Sequence, residues 1–118
     1  MEIKIFDVAH GFCAYIVADN GNVMLIDCGH NEQTGFRSSN YLPAHGCSGI
    51  ERFIVSNYDE DHLSDLPNLR SRLPIQMLRR NKSISADELR RLELRAGPVR
   101  PGMEALFIGH DRNLHYRC

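Results

Sequence analysis

The apolar residues of this chain change their spacing partway along it. Through the first 27 residues they fall in short runs of strand character. "EIKIFDV" sets Ile3 and Ile5 on one side and Lys4 and Phe6 on the other, the alternation of a pleated strand. "FCAYIVA" and "NVMLID" are nearly continuous apolar runs, as in strands buried on both faces. Between these two runs lies "DNGN", whose Asn20-Gly21 pair is a strong hairpin signal, and "AHG" makes a tight turn between the first two. The pattern predicts a three-stranded meander of buried strands.

Residues 28–38 form a polar, glycine-containing loop, and "SNYLPAHG" predicts a short helix whose length Pro43 limits. "GIERFIVS" returns to strand. "LSDLPNLRSRL" predicts one helix, with Leu63, Leu66, Leu69 and Leu73 at helical spacing, and "PIQMLRR" one more strand. A second helix is signed by a capping box, Ser85 with Glu88, followed by Leu89, Leu92 and Ala96 on one face and ended by Gly97-Pro98. "GMEALFIG" predicts a further short helix or strand, and the closing "HDRNLHYRC" has no period. Strands followed by alternating strands and helices predict an α/β (α+β) fold, as a single domain over residues 1–118.

Composition narrows the class. With 42% hydrophobic and 25% charged residues the chain has the balance of a folded domain rather than a disordered one. No apolar run is long enough to cross a membrane, and the acidic, weakly apolar start does not resemble a signal peptide, so a cytoplasmic location is expected. Cys13, Cys28, Cys47 and Cys118 form no CxxC pair, which favours reduced thiols; Cys28 in "LIDCGH" reads as a small buried hydrophobe. Residues 1–62 carry three Lys or Arg against nine acids, whereas residues 63–118 carry eleven against six. Mutual neutralisation of the two halves is the favoured reading of this asymmetry; the alternative is a nucleic-acid surface on the basic segments "LRSRL", "LRRNK" and "LRRLELR", which carry no recognised binding motif.

The densest chemistry is "SNYDEDHLSD", four acids and a histidine placed behind the apolar Phe53-Ile54-Val55. On an extended backbone Asp59 and Asp61 point to the same side, and His62 faces the same cavity if a helix opens there. Two carboxylates and an imidazole suit zinc, manganese or iron, and a cation would cancel the repulsion among the acids. The competing reading is a solvated acidic loop at a helix N-terminus, with Asp61 or Ser64 as cap.

Three pieces in order resemble the metallo-β-lactamase fold superfamily, most closely its branch related to the hydrolase-like domain of the competence protein ComEC. "FDVAHGFCAYIV" resembles the opening strand, glycine-rich turn and second strand. "VMLIDCG" is similar to the strand that ends in Ile-Asp-x-Gly, and "VSNYDEDHLSDL" to the metal loop, written HxHxDH or, in this branch, HxDxDH. The likeness spans about residues 3–70, leaving 71–118 as a helical, basic part. It implies that Asp59, Asp61 and His62 are metal ligands, that Asp61 also orients the attacking group, and that Asp27 supports the loop. Asn57 stands where the family has its first histidine, and an amide is a poor zinc ligand. Ala9 stands where a turn glycine is usual.

The family fold is an αββα sandwich of two similar halves, so the resemblance implies a half or shortened sandwich with an N-terminal β-meander. Its remaining ligands belong to the second half. His110 in "IGHDRNLH" follows an apolar stretch as the later Gly-His motif does, with Asp111 and His115 nearby, and His10 in the first turn is placed to face the cavity. The implied function is a metal-dependent hydrolase, zinc foremost with manganese or iron as alternatives, in a branch whose implied substrates are phosphodiester-like or unknown. The alternative is a degenerate, non-catalytic binding module whose uncovered sheet face calls for a homodimer or a partner chain.

Overall fold

One sheet of six strands organises the chain, in the order β1-β2-β3-β4-β5-β6. The strands are β1 (Glu2–Ile5), β2 (Ala14–Val17), β3 (Val23–Ile26), β4 (Ile50–Ile54), β5 (Ile75–Arg79) and β6 (His115–Arg117). The helices are α1 (Ser38–Ala44), α2 (Glu60–Leu63) and α3 (Leu66–Arg72). This computed structural model describes residues 1–80, 85, 87 and 101–102, and the backbone of 115–117.

β1, β2 and β3 pair antiparallel, as the meander predicted. At the second turn Gly21 takes φ 86°, its N–H donating to Ala18 O (2.9 Å), while Ala18 N–H donates to Asn22 O (2.9 Å). From β3 onward the pairing is parallel, with α1 in the β3–β4 crossover and α2 and α3 in the β4–β5 crossover. The fold is therefore mixed α/β, as the element order predicted.

Parallel strands need crossovers, and these lay α1 and α3 on one face of the sheet. On that face Leu25, Phe53 and Leu78 sit side by side in register and fully buried. They share one core with Leu42 of α1 and with Leu63, Leu66, Leu69 and Leu73, the leucine series of the sequence. The opposite face sets Ile3, Ile16, Met24, Arg52 and Met77 in register across five strands.

Three expectations change. β1 is not buried: among the described residues it is the sheet edge, with β2 alone beside it, and Ile3 is 56% and Ile5 70% exposed. The single helix expected over "LSDLPNLRSRL" is two, broken between α2 and α3. Asp65 causes the break. Its fully buried carboxylate accepts from Arg37 Nη1 (3.0 Å), Ser39 N–H (2.8 Å), the Ser38 and Ser39 hydroxyls and Asn68 Nδ2, tying the start of α3 to the start of α1. Pro67 then sits in the first turn of α3, where its missing N–H costs nothing. Lastly, the aperiodic tail supplies β6, parallel to β5. Of the capping-box helix, Ser85 is outside any helix and Asp87 is helical; the remainder lies outside the described residues, as does 103–109 of "GMEALFIG".

Candidate functional site

Asp27 follows β3 in the left-handed conformation, φ 56°, which aspartate tolerates better than most residues. Its N–H donates to Ile54 O (2.9 Å), and its carboxylate is fully buried. Oδ1 accepts from Ser56 N–H (2.8 Å), and Oδ2 from the Ser56 hydroxyl and from His62 Nδ1 (2.8 Å). An ionised carboxylate only accepts, so in the neutral imidazole the His62 ring proton sits on Nδ1 and Nε2 carries the lone pair. That lone pair lies 3.8 Å from Asp61 Oδ1. Carboxylate, histidine and a second, half-exposed carboxylate therefore run from the core to the surface.

Two glycines hold this loop by close approach. A Cβ on Gly11 would stand 1.8 Å from the Asp61 carbonyl oxygen, and one on Gly29 would stand 2.2 Å from it. The backbone completes the clamp: Cys28 N–H donates to His62 O (2.8 Å), Asp65 N–H to Cys28 O (3.0 Å) and Gly29 N–H to Phe12 O (3.0 Å). The "HG" of the first turn and the "DCG" after β3 are thus parts of one bracket around Asp61 and His62. Ala9 has φ 61°, so this turn position lies in the left-handed region. Asp7 Oδ1 accepts the Ala9 N–H there (3.1 Å).

Not every proposed ligand joins the pair. Glu60 opens α2, so Asp59 lies at its N-cap position and Asp61 within its first turn, and the two do not share an extended segment. Asp59 and Asn57 are exposed, and the Asn57 side-chain oxygen accepts the Asp59 N–H (3.0 Å). His10 is exposed and lines, with Asp61, an open cleft of about 450 Å³. His110 lies outside the described residues. Among the described residues, no three His, Cys, Asp or Glu side chains form a group that could hold a metal ion.

Sequence reasoning passed over two residues of this cleft. His30 is half-buried in its wall: the Ser64 hydroxyl bonds to His30 Nδ1 (2.6 Å) and accepts the His30 N–H (3.2 Å). Glu60 also lines it; Oε1 accepts the Gly102 N–H (3.0 Å), while Oε2 is buried with no hydrogen-bond partner among the described residues. Nothing in the spacing of either residue sets it apart from a surface residue. The thiols beneath the bracket are buried and held in the protonated form. Burial, reinforced by the charge of Asp65, pushes Cys13 up to about 12, and burial raises Cys28 well above the usual thiol range. Cys13, Cys28 and Cys47 are free, and Cys28 is the buried hydrophobe its context suggested.

No protein-family model matches the sequence, and no curated protein matches it. No helix among the described residues is long and apolar enough to cross a membrane.

Proposed function

We propose that the chain is a metallo-β-lactamase-like, metal-dependent hydrolase, acting on a phosphodiester-type substrate. The observation that carries this is the Asp27–His62–Asp61 chain. A buried carboxylate fixes the imidazole tautomer and leaves Nε2 free beside a second carboxylate, the usual support of a metal-ligating histidine. Two donors of suitable chemistry stand together, one fewer than the three protein ligands of an open zinc site. Asp61 and His62 Nε2 would hold a divalent ion, with zinc favoured by the nitrogen donor and manganese or iron also compatible. Glu60 Oε2, without a hydrogen-bond partner among the described residues, is a further acceptor beside them in sequence. When bound, such an ion supplies Lewis acidity to a scissile phosphoryl group. The chain's own part is to orient. Asp27, itself held by Ser56, orients His62, Gly11 and Gly29 hold Asp61, and the cleft that His10 lines lies beside them.

The test is calorimetric titration of the metal-free chain with Zn²⁺ and Mn²⁺, alongside hydrolysis of bis(4-nitrophenyl) phosphate. Micromolar binding, lost together with hydrolysis in Asp61→Ala/His62→Ala, supports the reading. Hydrolysis that survives the double substitution overturns it.

A second reading is favoured by the exposed Asn57 and Asp59 and by the partly exposed apolar sheet face around Met24 and Met77. In it the chain is a non-catalytic module whose sheet face receives a partner or a second copy. Zinc binding without turnover of any phosphodiester, together with loss of a partner on Met24→Glu, would favour it. Turnover by the purified chain would exclude it.

A further inference from the structure

Among the described residues, the exposed large hydrophobic side chains are Met1, Ile3 and Ile5, all at the β1 edge. They stand on the sheet face opposite α1 and α3, since Ile3 pairs with Ile16 and Ile5 with Ala14. Glu2 and Lys4 occupy the other face, their charged groups 3.5 Å apart. An edge strand with apolar outward residues and unpaired backbone groups is a template for another strand.

The direction of those backbone groups follows from the hydrogen bonds to β2. Phe6 N–H donates to Cys13 O (3.0 Å), in the same register as Lys4 with Tyr15 and Glu2 with Val17. Antiparallel pairing alternates, so Glu2, Lys4 and Phe6 turn their N–H and C=O toward β2, while Ile3 and Ile5 turn theirs to the open edge. A second β1 must therefore place outward residue against outward residue. Setting Ile3 against Ile5 of a second copy brings Lys4 against Lys4, and setting it against Met1 brings Glu2 against Glu2. Centring on Ile5 sets Ile3 against Asp7 and leaves Glu2 unpaired. Setting Ile3 against Ile3 satisfies everything at once: Glu2 faces Lys4 twice, and Met1 faces Ile5 twice. Opposite charges across a pair are favourable and like charges are not.

We propose that β1 is a self-complementary edge, on which a second copy of this chain docks antiparallel about Ile3 to form a two-fold dimer with one continuous sheet. Such an isologous contact closes on itself, so association stops at two. This does not depend on the hydrolase reading, and it differs from a dimer packed face to face.

The experiment is sedimentation of the full chain over a concentration series up to about 1 mM. Lys4→Glu alone and Glu2→Lys alone each set like charges in opposition, and each is expected to weaken self-association by about tenfold or more. Mixing these two variants pairs the acids of one with the lysines of the other, and a heterodimer of wild-type strength is expected. Ile3→Pro removes an N–H that β2 does not use, so the fold persists while the dimer is lost. A wild-type chain that stays monomeric overturns the proposal. So does a dimer indifferent to positions 2 and 4, and so does a mixture that fails to recover it. A dimer lost on Met24→Glu but not on Lys4→Glu assigns the contact to the sheet face and overturns it as well.

Discussion

His62 Nδ1 lies 2.8 Å from Asp27 Oδ2, joining residues 35 positions apart and linking α2 to the end of β3. The contact decides which ring nitrogen keeps a lone pair, and hence which atom faces Asp61. Asp27→Asn keeps the shape but can no longer impose that tautomer. Zinc affinity is expected to fall about 10- to 100-fold, with ¹⁵N chemical shifts of the His62 ring reporting the change of tautomer. Unchanged affinity with a changed tautomer would show that His62 is not a ligand.

The glycine bracket makes a stability prediction that separates two causes. Gly11→Ala and Gly29→Ala each drive a Cβ into the Asp61 carbonyl, and each should cost about 3 kcal/mol or more in urea denaturation. Gly21→Ala meets nothing within 4 Å and suffers only from its positive φ, so about 1 kcal/mol is expected. Equal losses at all three positions would contradict the close approach.

Ala9 offers the reverse substitution. With φ 61° it bears the left-handed penalty of a side chain, partly offset by the Asp7 hydrogen bond to its N–H. Ala9→Gly is expected to stabilise the fold by about 1 kcal/mol, read from the shift in denaturation midpoint.

The buried thiols set an alkaline limit. Cys13 holds its proton up to about 12 in the folded chain, chiefly because burial disfavours the thiolate. The unfolded chain releases that proton from about pH 8.5, so folding retains a proton that unfolding gives up. Stability is therefore intact below that pH and falls as pH rises toward 12, by up to about 1.4 kcal/mol per pH unit for each such thiol. Cys28 acts in the same direction. Urea midpoints compared at about pH 8 and pH 10 should show the loss, and Cys13→Ala should flatten the slope.

Much of this arrangement was legible in local pattern. The meander, the Asn20-Gly21 hairpin, the strands at Ile50 and Ile75 and the leucine series all follow from spacing, because a side chain's face is fixed by the period of its own element. The charge crowding of "SNYDEDHLSD" likewise drew attention to Asp61 and His62 before any geometry was known.

What local pattern could not carry are relations between distant segments. The split of α2 from α3 depends on Asp65 reaching Ser38 and Ser39 across the core. The place of β6 depends on which strand offers it a free edge, not on any period in "HYR". The separation of Asp59 from Asp61 depends on where the chain turns into α2, and the role of His30 on its meeting with Ser64. Sequence by itself determined which residues are apolar, which turn, and which carry chemistry, since these are properties of single residues and their neighbours. Tertiary structure alone decided which of them meet, because hydrogen bonds and close approaches such as Gly11 on Asp61 exist only once the sheet has brought remote backbone together.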